Sequence, residues 1–211
     1  LGAGLAGLAV FLLGQARETG TNPVRLVLAG AGLSVMLASL TGIIVLNAPP
    51  EVFDRFRHWA AGSLSGSGFA LLGWPGLAIG AGLAAAFALA ARLNALALGQ
   101  EIGRALGVDL RLTWLLACLA VMLLAGAATA LAGPIAFVGL VAPHLARLLA
   151  GPDQRWILPF SALIAAGLLL GADILGRLLA APAEIAAGIV ALLLGGPAFI
   201  VLVRRFRLSR L

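Results

Sequence analysis

Apolar residues in this chain run in long blocks and do not alternate with polar ones. No Asp, Glu, Lys or Arg interrupts Leu26 to Leu46, Phe69 to Ala91, or Leu112 to Ala146. A helix needs ~20 apolar residues to cross the hydrocarbon of a bilayer, so 26–46 and 69–91 each predict one membrane helix. The opening block, 1–14, has no charged segment before it, so it reads as the tail of a membrane helix, not a signal peptide, with further chain expected upstream. The block from 112 to 146 is too long for one crossing and tight for two, and Gly133-Pro134 interrupts it. It predicts a full helix over 112–132 and a short or partly re-entrant one over 133–146. Non-helical backbone at that depth is tolerated only against protein or a water-filled cavity, which makes this break a candidate pathway element. Segments 156–179 and 185–203 complete the series.

Composition points the same way. Hydrophobic residues make up 62% of the 211 and charged residues 10%, with a mean hydropathy of +1.11. Soluble domains carry about 25% charged residues, so lipid must solvate part of this surface. The expected fold is an all-α, polytopic transmembrane helical bundle forming one domain over 1–211. The 28 glycines fit this expectation, since membrane helices approach each other through small residues. Gly76/Gly80 and Gly167/Gly171 have the small-xxx-small spacing, from packing or from composition alone.

All 14 basic residues are arginine. A phosphate-binding loop needs a Lys after its glycines, so the chain holds no such ATP site. The net charge of +6 does not indicate nucleic acid, because the arginines stand singly or in small groups between apolar runs. Arg17, Arg25, Arg92, Arg104, Arg111, Arg147, Arg155 and the tail (Arg204, Arg205, Arg207, Arg210) fall on one side if the chain alternates. Cytoplasmic loops carry the excess of basic residues. The opposite side keeps Arg55, Arg57 and Arg177, balanced by Glu51, Asp54 and Glu184. This assignment requires 112–146 to cross twice.

Two polar segments stand out. Residues 47–68 carry Phe53, Phe56 and Trp59 among charges, then a Ser/Gly turn; they read as an interfacial helix anchored by Trp59 or as a surface loop. Residues 93–111 are amphipathic and too polar to span. They form either two short cytoplasmic helices able to dock in a partner's groove or a plain linker, and Gly107 is a natural helix stop. Asp173 and Arg177 share one helix face and can pair; in a membrane segment they mark either function or a self-neutralised pair whose Arg reaches the surface. Catalysis finds little support. No serine has a G-x-S-x-G frame, no carboxylates pair at short spacing, and His58 and His144 lack a second ligand at metal spacing. His144 follows Pro143 at a membrane edge and reads as a structural or helix-end residue rather than a ligand, and Cys118 is alone in an apolar run.

Gly133-Pro-Ile-Ala-Phe137-Val-Gly139-Leu-Val-Ala-Pro143-His144, followed by Leu145-Ala-Arg147, resembles the signature of the FecCD-type permeases, membrane subunits of ABC importers for iron-siderophores, haem and cobalamin. Leu93-Asn94, Leu98-Gly99 and Leu106-Gly107 are similar to that family's cytoplasmic coupling loop, Trp59-Ala-Ala-Gly62-Ser63-Leu64 to its outer W-x-x-G-S-L element. Ala172-Asp173-Ile174 with Arg177, and Pro182-Ala-Glu184-Ile185 with Gly188-Ile189-Val190, resemble its last two helices. The likeness runs in order over essentially the whole chain. Gly103 stands where the family often has Ala, and Gln100 precedes Glu101 where a Glu often follows Leu-Gly directly.

The resemblance implies the C-terminal portion of a ten-helix permease whose N-terminal helices are absent here. It implies no cofactor in this chain and no resident metal; ATP is bound by cytoplasmic ABC ATPase subunits that contact Leu98, Gly99, Glu101, Leu106 and Gly107. It implies a periplasmic substrate-binding protein docking at Arg177, a pathway built around Gly133, Pro134, Phe137, Gly139, Pro143 and His144, and a second permease copy or fused half. The expected role is translocation of an iron(III)-siderophore, or less often haem or cobalamin, across the bacterial inner membrane without chemistry on the cargo. A rival of another class is an ion- or proton-coupled carrier or a channel, for which Asp173 is the one acidic residue inside an apolar segment. The two-crossing reading is tested by labelling cysteines placed at Arg111 and Arg147 in intact cells. Both should react from the same, cytoplasmic, side; opposite sidedness refutes a return crossing.

Overall fold

The computed structural model describes residues 2–16, 20–21, 23–65, 68 and 72–207. Among them the elements are helices α1 (Gly2–Gly14), α2 (Pro23–Leu46), α3 (Pro50–Ala60), α4 (Gly73–Ala97), α5 (Gln100–Ala105), α6 (Leu110–Ala132), α7 (Val138–Ala150), α8 (Gln154–Leu179) and α9 (Ala187–Arg207). Gln15–Ala16 (β1) pairs antiparallel with Gly20–Thr21 (β2), too little sheet to alter an all-α fold. Arg17 and Arg210, which bear on orientation, and residues 69–71, at the start of a predicted span, lie outside the described residues.

The helix boundaries reflect local chemistry. Pro75 sits in the first turn of α4, where a missing N–H is harmless. No Gly or Pro occurs between Gly82 and Gly99, so α4 continues past Arg92 to Ala97. Only one short helix, α5, therefore remains in the 93–111 segment. It ends in a Schellman motif: Gly107 has φ 79°, its N–H donates to the Arg104 carbonyl (2.9 Å), and Val108 N–H donates to Gly103 (3.0 Å). Asp109 starts α6 by accepting from Leu112 N–H (3.0 Å). Gly133, at φ 72°, ends it.

The chain forms two compact units: Leu1–Phe56 with Leu72–Ala130, and Arg57–Leu71 with Leu131–Leu211. In the first, α1 and α4 meet α6 through small residues. A Cβ on Gly82 would lie 2.8 Å from Leu124 Cγ, and one on Gly126 would lie 2.7 Å from Ala3 Cβ. Of the two readings left open for the glycine pairs, packing within this chain is not seen: a Cβ at Gly80, Gly167 or Gly171 would meet open space, and Gly76 approaches only Leu72. Four-residue spacing marks a helix face but not which face has a neighbour. No residue in the apolar stretch of α2 is buried within the chain. Ser34, Ser39 and Thr41 within α2, and Asn47 just after it, donate through their side chains to carbonyls one turn back (2.7–2.9 Å), so these polar atoms are satisfied without water.

In the second unit α7, α8 and α9 pack around Ala172, Val190 and Ala191, flanked by Ile135, Val138 and Ile185. Each helix carries an internal proline, Pro143, Pro159 and Pro197. Among the described residues four helices are long and apolar enough to cross a membrane: Val27–Leu46 within α2, α4, α6 and α8. The apolar stretches Val138–Ala150 and Ala187–Ile200 are shorter. At 1.5 Å per residue the 13 residues of α7 reach only ~20 Å of a ~30 Å hydrocarbon core.

Three backbones converge where α6 ends. Gly62, at φ 70°, would place a Cβ 2.8 Å from the Pro134 carbonyl oxygen. A Cβ on Gly133 would overlap the Trp59 carbonyl, and one on Gly188 would overlap that of Ala61. Gly188 N–H donates to Gly62 O (2.8 Å), and Ser63 N–H donates to Ala132 O (2.9 Å). Gly188→Ala forces main chain apart, at about 1–3 kcal/mol or more. Its melting midpoint in detergent should fall by roughly 3–10 °C, while Gly167→Ala, facing open space, should leave it unchanged. Equal midpoints for both variants would refute the junction's role.

Candidate functional site

The 133–146 segment is a broken helix. Between Ala132 and Val138 the chain is non-helical, dropping from the glycine junction to Phe137. Phe137 has φ 66° and ψ −32°, and Val138 N–H donates to Ala136 O (2.9 Å), closing a γ-turn of the rare positive-φ kind. Such a conformation costs about 1–3 kcal/mol on a residue with a Cβ and is kept only where its surroundings enforce it. The enforcement is visible: the Phe137 ring packs edge-on against Phe199 at 6.1 Å between centroids. Gly195, one turn before Phe199, leaves room for it, since a Cβ there would lie 2.8 Å from Phe137 Cβ.

Of the other signature residues, Pro134 stays in the junction, while Gly139, Pro143 and His144 lie within α7. Pro143 has no N–H to offer the Gly139 carbonyl, so α7 loses one bond in its second turn. His144 is half-buried in the interior of α7 rather than at a helix end. A proline in a membrane helix need not end it: neighbouring groups can serve the freed backbone.

A cleft of about 420 Å³ opens beside the junction. Its lining includes His58, Trp59, Ser63 and Ser65 from the 47–68 segment, Ala132 from α6, and Glu184 before α9. Residues 50–60, read as interfacial helix or loop, form helix α3 with no buried residue. Val52, Phe53, Phe56 and Trp59 occupy one side of that helix and Glu51, Asp54 and His58 the other.

At the end of α8, Arg177 Nε donates to Asp173 Oδ2 at 2.9 Å, the pairing expected from their spacing. Its Nη1 also faces Glu184 Oε1 at 3.6 Å, and Glu184 Oε2 accepts from the Ser65 hydroxyl at 2.7 Å. Sequence reasoning placed Glu184 on the same side as Arg177 but gave neither Glu184 nor Ser65 a partner. The available signal was the Pro-Ala-Glu-Ile element before α9.

In the first unit, α5 forms an elbow between Gly99 (φ 116°) and Gly107. Leu98, Ile102 and Leu106 stand four apart and are all exposed, as are Gly99, Glu101 and Gly107. Ile102 completes an apolar stripe that the motif comparison missed because it is not part of a Leu-Gly pair. Gly103 lies beneath, where a Cβ would come 2.8 Å from Leu96 Cδ2. That contact explains why this position takes a small residue. Among the described residues no group of three His, Cys, Asp or Glu could hold a metal ion.

Among the described residues, four helices long and apolar enough to cross a bilayer mark a multi-pass membrane protein. The chain belongs to the FecCD transport family, which it matches over residues 1–205. It is 43% identical to the ferric enterobactin transport system permease protein FepD of Escherichia coli K12 over 205 residues, covering 97% of this chain and 60% of that one. It is 39% identical to the hemin transport system permease protein HmuU of Yersinia pestis over 194 residues, covering 90% and 57%. A solved ABC transporter of metal-chelate type, in an inward-facing conformation, superposes with a TM-score of 0.82 at 30% identity, covering 96% of this chain and 63% of that chain. The chain thus spans about three fifths of the length of these relatives.

Proposed function

We propose that this chain is part of the membrane-spanning permease of a bacterial ABC importer that carries an iron(III)-siderophore across the inner membrane. The observation that carries the reading is similarity, over 90% or more of this chain and 53–61% of each relative, to permeases named for ferric enterobactin, ferric hydroxamate, ferric citrate and hemin transport. The permease performs no chemistry on the chelate and holds no cofactor. Energy comes from separate cytoplasmic ATPase subunits, consistent with the absence of lysine and hence of a phosphate-binding loop. A second permease copy or fused half completes the pathway, with the broken segment 133–137 and α7 facing it; strained, non-helical backbone within an apolar unit supports that role.

The α5 elbow supports ATPase docking. A short helix with Leu98, Ile102 and Leu106 along one exposed stripe suits an apolar groove, with Glu101 at its edge. Arg177 supports docking of a periplasmic binding protein: it is half-exposed and fixed by Asp173.

Uptake of a ferric siderophore into proteoliposomes should require ATP, the ATPase and the binding protein together. Uptake driven by an ion gradient alone would instead identify an ion-coupled carrier. In the same assay Arg177→Glu should lower uptake at least tenfold by weakening binding-protein affinity, and wild-type uptake would remove Arg177 from the docking face. Separately, a cysteine at Glu101 should cross-link to the co-expressed ATPase. Absence of product from positions 98, 101, 102 and 106 alike would count decisively against the elbow as the contact.

A further inference from the structure

We propose that Asp173, Arg177, Glu184 and Ser65 form a latch that transmits docking at Arg177 to the segment sealing the broken helix. This rests on the importer reading. The two carboxylates hold Arg177 unequally. Asp173 lies one turn back on the same helix, with its side chain only 17% exposed, and accepts from Nε at 2.9 Å and from Nη2 at 3.5 Å. Glu184 comes from the connection before α9, is 51% exposed, and stands 3.6 Å from Nη1. It is the longer and wetter contact, so it yields first when another carboxylate arrives; two carboxylates at one guanidinium also repel each other.

Glu184 does not move alone. Its other oxygen accepts the Ser65 hydroxyl at 2.7 Å, a charge-assisted bond. Ser65 lies two residues beyond Ser63, whose N–H is bonded to the last turn of α6, and three beyond Gly62, which is bonded to Gly188. Glu184 and Ser65 both line the cleft beside the junction. A carboxylate from a docked partner therefore takes the outer edge of Arg177, frees Glu184, and slackens the 62–65 segment over the α6–α7 break. Asp173 keeps the guanidinium aimed outward throughout. Ser65 and Glu184 are positioning residues: neither need touch the cargo.

The test uses the transporter reconstituted in nanodiscs with its ATPase and binding protein, reading binding-protein affinity and ATPase rate with and without that protein. Ser65→Ala should leave affinity within roughly twofold, raise the unstimulated ATPase rate, and cut the stimulated-to-basal ratio roughly threefold or more. Ser65→Thr, which keeps the hydroxyl, should restore the ratio. Glu184→Gln should tighten binding-protein affinity roughly threefold or more, because Arg177 loses its internal competitor. Wild-type ratio and affinity in both Ser65→Ala and Glu184→Gln overturn the latch. If that happens while wild-type stimulation persists and Arg177→Glu abolishes docking, the latch fails and the importer reading stands. A wild-type protein that neither binds the partner nor responds to it overturns both.

Discussion

The close approach of three main chains at Gly62, Gly133 and Gly188 governs the second unit. A side chain at any of the three would enter a carbonyl oxygen of a neighbouring segment, and two of the three also sit at positive φ. Because the backbones touch, donors and acceptors at the end of α6 and the start of α9 find partners in the 62–63 segment. Helix ends left in an apolar environment need such partners. The junction thereby permits α6 to stop at Ala132 inside an otherwise apolar run, and the rest of the arrangement depends on that stop.

Beyond Ala132 the chain continues as a linker that keeps no helical bonds and then as α7, a helix too short to cross. Within the linker Gly133 is buried while Pro134 and Ala136 are exposed, and the strain at Phe137 is held by Phe199 and by the space over Gly195. In a transporter a strained turn between packed helices is a place where two arrangements can lie close in free energy. Next to it, the Arg177 cluster links an exposed cation to the same junction through Glu184 and Ser65. The elbow at α5 is built on a different principle, a helix capped by two positive-φ glycines that leaves its apolar stripe bare.

Much of this was legible in the residues. Apolar blocks located the long helices because a bilayer demands length and excludes charge. Gly133-Pro134 marked the break, Gly107 the end of α5, and the four-residue spacing the Asp173–Arg177 pair. Each is a local rule, readable within one turn of helix. The Gly76/Gly80 and Gly167/Gly171 pairs show the limit of such rules, since the glycines in close contact with a neighbouring helix in the first unit include Gly82 and Gly126, which belong to neither pair. Pro143 likewise lies inside α7 without ending it.

Sequence alone determined membrane residence, the helical class, the place of the break and the polar elbow, because hydropathy, turn chemistry and capping act over short stretches of chain. Tertiary structure decided that Trp59–Ser65, Gly133–Pro134 and Glu184–Gly188 meet, that Glu184 and Ser65 complete the setting of Arg177, and that Ile102 joins the exposed stripe of α5. These contacts join residues as far as 119 positions apart, as Ser65 and Glu184 are. No periodicity encodes such a separation; it is set only when the helices between have packed.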